Sequence, residues 1–269
     1  MAEEQKEAKP KKRMTATQAA ASIGPMVKEF ITGTLRARAE GKQKLAYTFI
    51  VCHHEEIFRA MDVIPVWTEN FAGICGAKRD AERFLQRAES LGLSRSLCTY
   101  ALCGIGFDQW REELGQMPPD APWGGQARPD FMISSGQILC DPRSKWYQAS
   151  QQFMPDVPIY NIDLPYPMFQ RDRDHRDVWD YYHKYIVKQL RGLVAFLEEQ
   201  TGKKMDYDRL RELVDLSDRT WNLIEETYKN MWISPNVKTL LETDAPASDR
   251  QVAWVSPYEK SRVVVIQLG

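Results

Sequence analysis

Leu45-Ala-Tyr-Thr-Phe-Ile-Val51 is a short, unbroken apolar run rich in aromatic and β-branched residues. A run of that length without polar alternation predicts a strand buried on both faces, as in a parallel sheet covered by helices. The segments downstream extend the same reading. Glu55–Met61 has helical spacing, and Val63–Trp67 is a second apolar run with strand character. Phe71–Ser90 reads as one amphipathic helix closed by Gly92, and Leu97–Phe107 as a shorter helix carrying Cys98 and Cys103. Residues 114–129 are rich in proline and glycine and form a loop. A third strand, Asp130–Ser134, a helix, Ser144–Phe153, and a fourth strand, Val157–Asp163, follow. Strands alternating with helices predict an α/β domain with a Rossmann-like parallel sheet.

Outside this core the pattern changes. Thr15–Ala39 is spaced as a helix, and residues 1–13 are a polar, lysine-rich tail expected to be disordered. Val178–Gln200 and Asp206–Met231 are long amphipathic helices separated by Gly202, a helical hairpin. Residues 243–250 are linker-like, and Arg262–Leu268 reads as one strand with no partner. The expected organisation is therefore a tail (1–13), an α/β domain (14–168), a helical section (169–235) and an atypical segment (236–269). That last segment reads as the start of a second α/β domain, missing or incomplete.

Composition excludes several functions. The chain has 269 residues, with 36 basic and 37 acidic side chains and a net charge of −1, so a general affinity for nucleic acid is not indicated. No run approaches the roughly 18 apolar residues that suggest a membrane span. The N-terminus has no apolar signal segment, and five cysteines without one point to a reducing, cytoplasmic setting with free or metal-bound thiols.

Cys98 and Cys140 are the candidate ligands. Each is expected where a βα unit opens towards its ligand face, just ahead of a helix. Unpaired N–H groups and the helix dipole favour a thiolate there, and such positions suit an iron–sulfur cluster. The bland alternative is a pair of buried structural cysteines. Cys52, Cys75 and Cys103 read as small hydrophobes. His53, His54 and Glu55 lie after the first strand, at the ligand-facing end of such a sheet, so His54 and Glu55 are candidate catalytic or substrate-lining groups. Capping of the next helix is the alternative role. Glu69 follows the second strand in the same way and would handle a proton or cap a helix. The Trp123-Gly124-Gly125 loop is not a phosphate-binding fingerprint, and no Walker motif exists, so ATP hydrolysis would belong to another protein.

Four long words carry a resemblance: IPVWTENFAGICGAKRDAERFLQRAESLGLSRSLCTYAL (64–102), PPDAPWGGQARPDFMISSGQILCDPRSKWYQ (118–148), DVPIYNIDLPYP (156–167) and QLRGLVAFLEEQTGKKMDYDRLREL (189–213). Together, over roughly residues 40–232, the chain resembles the benzoyl-CoA reductase / 2-hydroxyacyl-CoA dehydratase family. The resemblance implies a subunit with two similar α/β domains joined by a helical section. It implies a [4Fe-4S] cluster held by three cysteines, a homologous second subunit, and an ATP-hydrolysing activator that delivers single electrons. The substrate would be an acyl-CoA thioester. Dehydratases of the family expel a hydroxyl-derived leaving group, and the reductases dearomatise a ring.

Carried over by motif, the first two cysteine ligands are Cys98 and Cys140, the latter ahead of Lys145-Trp146-Tyr147. The third belongs to the second α/β domain, and this sequence has no cysteine after Cys140. The expectation is a chain truncated or frame-shifted near Pro235, or one that has lost the cluster. PPDAPWGG and SSGQILCDPRSKWYQ favour a benzoyl-CoA reductase-type subunit. An (R)-2-hydroxyacyl-CoA dehydratase subunit is the alternative within the family, and a non-catalytic remnant is the alternative from another class.

Overall fold

A computed structural model of the chain describes residues 18–50, 54–135, 140–163, 175–232, 251–255 and 263–267. Cys52, His53 and the 243–250 linker lie outside these residues. The chain forms two compact units, one from Lys28 to Ser217 and one drawn from both ends.

The larger unit is built on four parallel strands: β1 (Leu45–Thr48), β2 (Ile64–Trp67), β3 (Phe131–Ser134) and β4 (Ile159–Asn161), in the order β2-β1-β3-β4. The predicted α/β parallel sheet is present. Strand alternation sorts its side chains to two faces. On one face Leu45, Tyr47 and Met132 pack with Ala101, Ile105, Trp146 and Tyr147. On the other, Ala46, Phe131 and Ile133 pack with Phe58, Leu193 and Leu197. Helices α5 (Thr99–Leu114) and α6 (Asp141–Ser150) thus cover one face. Helices α2 (Glu55–Ala60) and α7 (Arg176–Thr201) cover the other. Helix α1 (Gln18–Glu40) precedes the sheet.

The predicted helix Phe71–Ser90 is two helices, α3 (Thr68–Ala77) and α4 (Glu82–Ser90). Arg79 adopts a left-handed backbone with φ 58°, and the Arg79 and Asp80 amides bond back to the Gly76 and Cys75 carbonyls at 3.0 and 2.9 Å. No glycine or proline marks the break itself. The chain turns there because α4 must dock on α5, where Gly106 lies so close to the Phe84 carbonyl that a Cβ would sit 2.0 Å from its oxygen.

The helical hairpin is α7 and α8 (Tyr207–Trp232). Gly202, at φ 68°, closes α7 in the left-handed region that glycine tolerates, and Asp206 accepts the Asp208 and Arg209 amides at 3.0 and 2.9 Å to start α8. Residues 263–267 are not a lone strand, as the sequence suggested. Strand β6 (Val263–Gln267) pairs antiparallel with β5 (Gln251–Val255), from Gln251 opposite Gln267 to Val255 opposite Val263. Strands paired antiparallel in this way do not require a βαβ crossover.

Asp130 pins the entry edge of the sheet. Its carboxylate accepts the Leu45 amide at 2.9 Å and pairs with Arg38 at 2.9 Å and Lys44 at 3.2 Å. Burial alone would raise this carboxyl, but those partners hold it below its ordinary value. Its contribution is complete above the unfolded value of about 3.9 and is lost as pH falls through the lower folded-state value. Asp130→Asn is expected to cost about 1 kcal/mol at pH 7, discounted for partial exposure. The difference from the parent should shrink on acidification below about pH 4, as read by urea unfolding at a series of pH values.

Candidate functional site

The strand order switches sides between the parallel strands β1 and β3: from β1 the next strand, β2, lies to one side, and from β3 the next strand, β4, lies to the other. In open α/β sheets the crevice beyond the carboxyl ends of such strands is where ligands bind. The sequence candidates fall around it. Cys140 is the N-cap residue of α6, downstream of β3, and Cys98 is the N-cap residue of α5. Both cysteines are half-buried, and neither N-cap side chain bonds to its own helix. Helix starts of this kind favour an anion, a thiolate included.

The two helices run parallel, in register. Gly104 of α5 faces Trp146 of α6 so closely that a Cβ would lie 2.1 Å from the indole ring. One turn on, the Ser150 hydroxyl donates to Asp108 at 3.5 Å. In both pairs the partners are separated by 42 residues, and so are Cys98 and Cys140. Following the register back six residues, about 9 Å of helix, brings the two N-cap cysteines to the same level. Contacts that rise together along both helices make this a parallel pair. Replacing Gly104 with alanine should pry the helices apart and cost about 1–3 kcal/mol, measured as a lower midpoint in urea at unchanged m.

The other candidates lie at the carboxyl ends of β1 and β2. His54 is buried, with Nε2 within hydrogen-bonding distance of the Thr48 hydroxyl (3.3 Å) and its ring edge-on to Phe58. It caps α2 through its carbonyl, which accepts the Ile57 amide at 3.1 Å. The Glu55 carboxylate accepts the His54 amide at 3.3 Å. Glu69 is held from two sides. Arg143 Nε and Nη2 donate to its two oxygens at 3.0 and 2.8 Å, and the Ile50 amide donates to Oε2 at 2.8 Å. The Thr68 and Tyr147 hydroxyls meet at 3.1 Å, a second tie between α3 and α6.

Arg143, Thr68 and Tyr147 were not singled out by sequence. Arg143 sits in CDPRSKW, which draws attention to its cysteine and tryptophan, while its partner lies 74 residues away. Behind the site runs a buried network that sequence did not suggest. The Tyr47 hydroxyl donates to Asp108 at 2.8 Å, and Arg111 donates to Tyr47 at 2.7 Å and pairs with Asp108 at 3.0 Å. Burial drives the Tyr47 hydroxyl up, and burial also raises the Asp108 carboxyl against the pull of Arg111.

Cys75 and Cys103 are buried among Phe71, Phe84 and Phe107. Contact with Cys75 and burial both raise the Cys103 thiol, as suits packed hydrophobes rather than ligands. The Gly124-Gly125 turn rests on Leu35, Met117 and Phe107. Among the described residues no three His, Cys, Asp or Glu side chains converge as a metal site, and no helix is long and apolar enough to cross a membrane.

The chain is similar in sequence to several known proteins. The chain is 28% identical over 166 residues to the (R)-phenyllactyl-CoA dehydratase alpha subunit of Clostridium sporogenes, covering 62% of this chain and 37% of that protein. It is 26% identical over 178 residues to the alpha subunit of lactoyl-CoA dehydratase from Anaerotignum propionicum, covering 63% and 40%. It is 27% identical over 216 residues to a benzoyl-CoA reductase subunit of Thauera aromatica, covering 76% and 45%. The chain thus spans about two-fifths of the length of these relatives. The sequence model described as "HGD-D: 2-hydroxyglutaryl-CoA dehydratase, D-component" matches residues 50–242, and the chain belongs to that family.

Proposed function

We propose that this chain is part of an iron–sulfur acyl-CoA dehydratase subunit, with Cys98 and Cys140 as two thiolate ligands of a [4Fe-4S] cluster. The observation that carries the reading is the parallel α5/α6 pair, whose shared spacing of 42 residues sets both N-cap cysteines at one level. The donor chemistry fits: sulfur ligands, flanked by helix-start amides that can donate to cluster sulfurs and tune the potential. When bound, the cluster supplies single electrons at low potential. The chain's own residues hold and shield it. Half-buried cysteines restrict water, and the clamped starts of α3 and α6 fix the crevice floor.

Within this reading His54 and Glu55 line the substrate side of β1. The remaining cluster ligand, a homologous second subunit and an ATP-hydrolysing activator come from outside the described residues. Dehydratase names among the relatives favour a 2-hydroxyacyl-CoA substrate over the aromatic acyl-CoA that the loop words suggested. A reductase acting on an aromatic ring is the second reading, supported by the match to the Thauera aromatica benzoyl-CoA reductase chain over 76% of this one.

Electron balance separates the two. Dehydration converts a 2-hydroxyacyl-CoA to an enoyl-CoA and water with no net electrons, whereas ring reduction consumes two electrons and two protons. With activator, ATP and the second subunit present, enoyl-CoA formation from catalytic amounts of reductant is the expected result. Stoichiometric consumption of reductant with benzoyl-CoA, and no turnover of any 2-hydroxyacyl-CoA, would overturn it.

A further inference from the structure

We infer that the Glu69–Arg143 pair is a positioning clamp that sets Cys140 against the carboxyl end of β1, an assignment that rests on the cluster reading above. Arg143 is the third residue of α6, and its amide donates to the Cys140 carbonyl at 3.1 Å. Its side chain is only 10% exposed and that of Glu69 13%. The guanidinium does three things at once. It grips both carboxylate oxygens of Glu69, donates through Nη2 to the Ile50 carbonyl at 2.9 Å, and lies 5.2 Å from the centre of the Phe49 ring. Phe49 in turn stacks on Tyr147 at 4.3 Å and 5°. The Ile50 amide completes the loop by donating to Glu69.

The first turn of α6 is thereby fixed to the end of β1 and the start of α3 by groups close in space and far apart in sequence. A helix-dipole role for Glu69 at the start of α3 needs no buried arginine from another helix. Nor do the occupied carboxylate oxygens suit proton handling, because each already accepts a hydrogen bond from a fixed donor. The geometry instead matches the outer-shell partners of metal ligands, whose loss typically lowers metal affinity about 10–100-fold. Arg143 is the residue type for the task, since a lysine cannot reproduce the two-oxygen grip and the carbonyl bond together.

The test compares the full chain with Arg143→Lys, Glu69→Gln and, as a control ion pair elsewhere, Arg128→Lys. All are reconstituted anaerobically with ferrous iron and sulfide, then challenged with a ferrous chelator. The clamp predicts iron release about ten times faster or more in Arg143→Lys and Glu69→Gln, with altered EPR signals of the reduced cluster, measured at a temperature where both variants are folded although they melt below the parent. Arg128→Lys should lose iron at the parental rate. Parental release and spectra in both clamp variants would overturn the proposal. If the parent chain takes up no iron, the functional reading fails, and the clamp is then judged on the metal-free chain. Faster amide exchange over residues 145–147 in the variants, with residues 100–102 unchanged, supports the clamp. Unchanged exchange in both segments overturns it.

Discussion

Serine at Cys98 or at Cys140 is expected to abolish stable iron binding, leaving less than about a tenth of parental iron per chain after anaerobic reconstitution and gel filtration. The argument is one of ligand number and basicity. The described residues offer these two thiols at one level of the α5/α6 pair, and no three-residue metal-binding group lies elsewhere among them. Serine retains the shape but replaces a soft thiolate with a poor, protonated oxygen donor. Both cysteines are half-buried N-cap positions, and serine is a favourable N-cap residue, so the variants should fold as well as the parent. Cys75→Ser and Cys103→Ser make the matching controls. Both thiols are buried among Phe71, Phe84 and Phe107, so serine there should cost stability and leave iron uptake in folded protein unchanged. Iron and sulfide assay with EPR reads the result. Parental iron in the Cys98→Ser/Cys140→Ser double variant would sink the assignment of the ligands.

Arg111→Ala is expected to cause the largest loss of stability, about 3–5 kcal/mol. Arg111 is 5% exposed at its side chain and Asp108 is fully buried. Removing the guanidinium strands the Asp108 carboxylate beside only the Tyr47 and Ser150 hydroxyls, and removes bonds to the Gln126 carbonyl, Met154 and Glu112 as well. Breaking one side of a buried pair is costly because the remaining charge stays desolvated. The pH dependence has a definite sign. Burial already raises Asp108, and without Arg111 its carboxyl rises further. A folded-state value above the unfolded one means that the native chain holds the proton longer, so stability of the variant should fall as pH rises above about 4. The double variant Asp108→Asn/Arg111→Met, which removes both charges, should recover most of the loss. Urea unfolding of the three proteins at about pH 5 and about pH 7.5 gives the result. A double variant as unstable as Arg111→Ala would contradict the charge-stranding explanation.

The parallel sheet was legible because its two central strands, β1 and β3, are buried on both faces and so read as apolar runs between turn signals. Leu45–Val51 and Asp130–Ser134 announce themselves in this way, and the structure trims each to its paired core. The α3/α4 break was not legible. Lys78-Arg79-Asp80 carries no glycine or proline, and the turn is imposed by the docking of α4 on Gly106. The β5/β6 ribbon was half legible: β6 is a β-branched run that reads as a strand, but Gln251–Val255 was not read as its partner.

At the site, the thiols and their positions ahead of helices followed from the sequence, since local signals mark a helix start. Membership of the family followed too, because long words in order are properties of the chain. What only the tertiary structure decided is what stands around those thiols. The in-register packing of α5 on α6 depends on Gly104 yielding space to Trp146, and the Glu69–Arg143 clamp joins residues 74 apart. The Tyr47–Asp108–Arg111 network likewise gathers β1 and α5 across 61 and 64 residues. A one-dimensional pattern reports what each residue needs from its neighbours along the chain. Pairing between charges brought together by the sheet and its helices is settled by distance in the folded core, where desolvation makes every such pairing consequential.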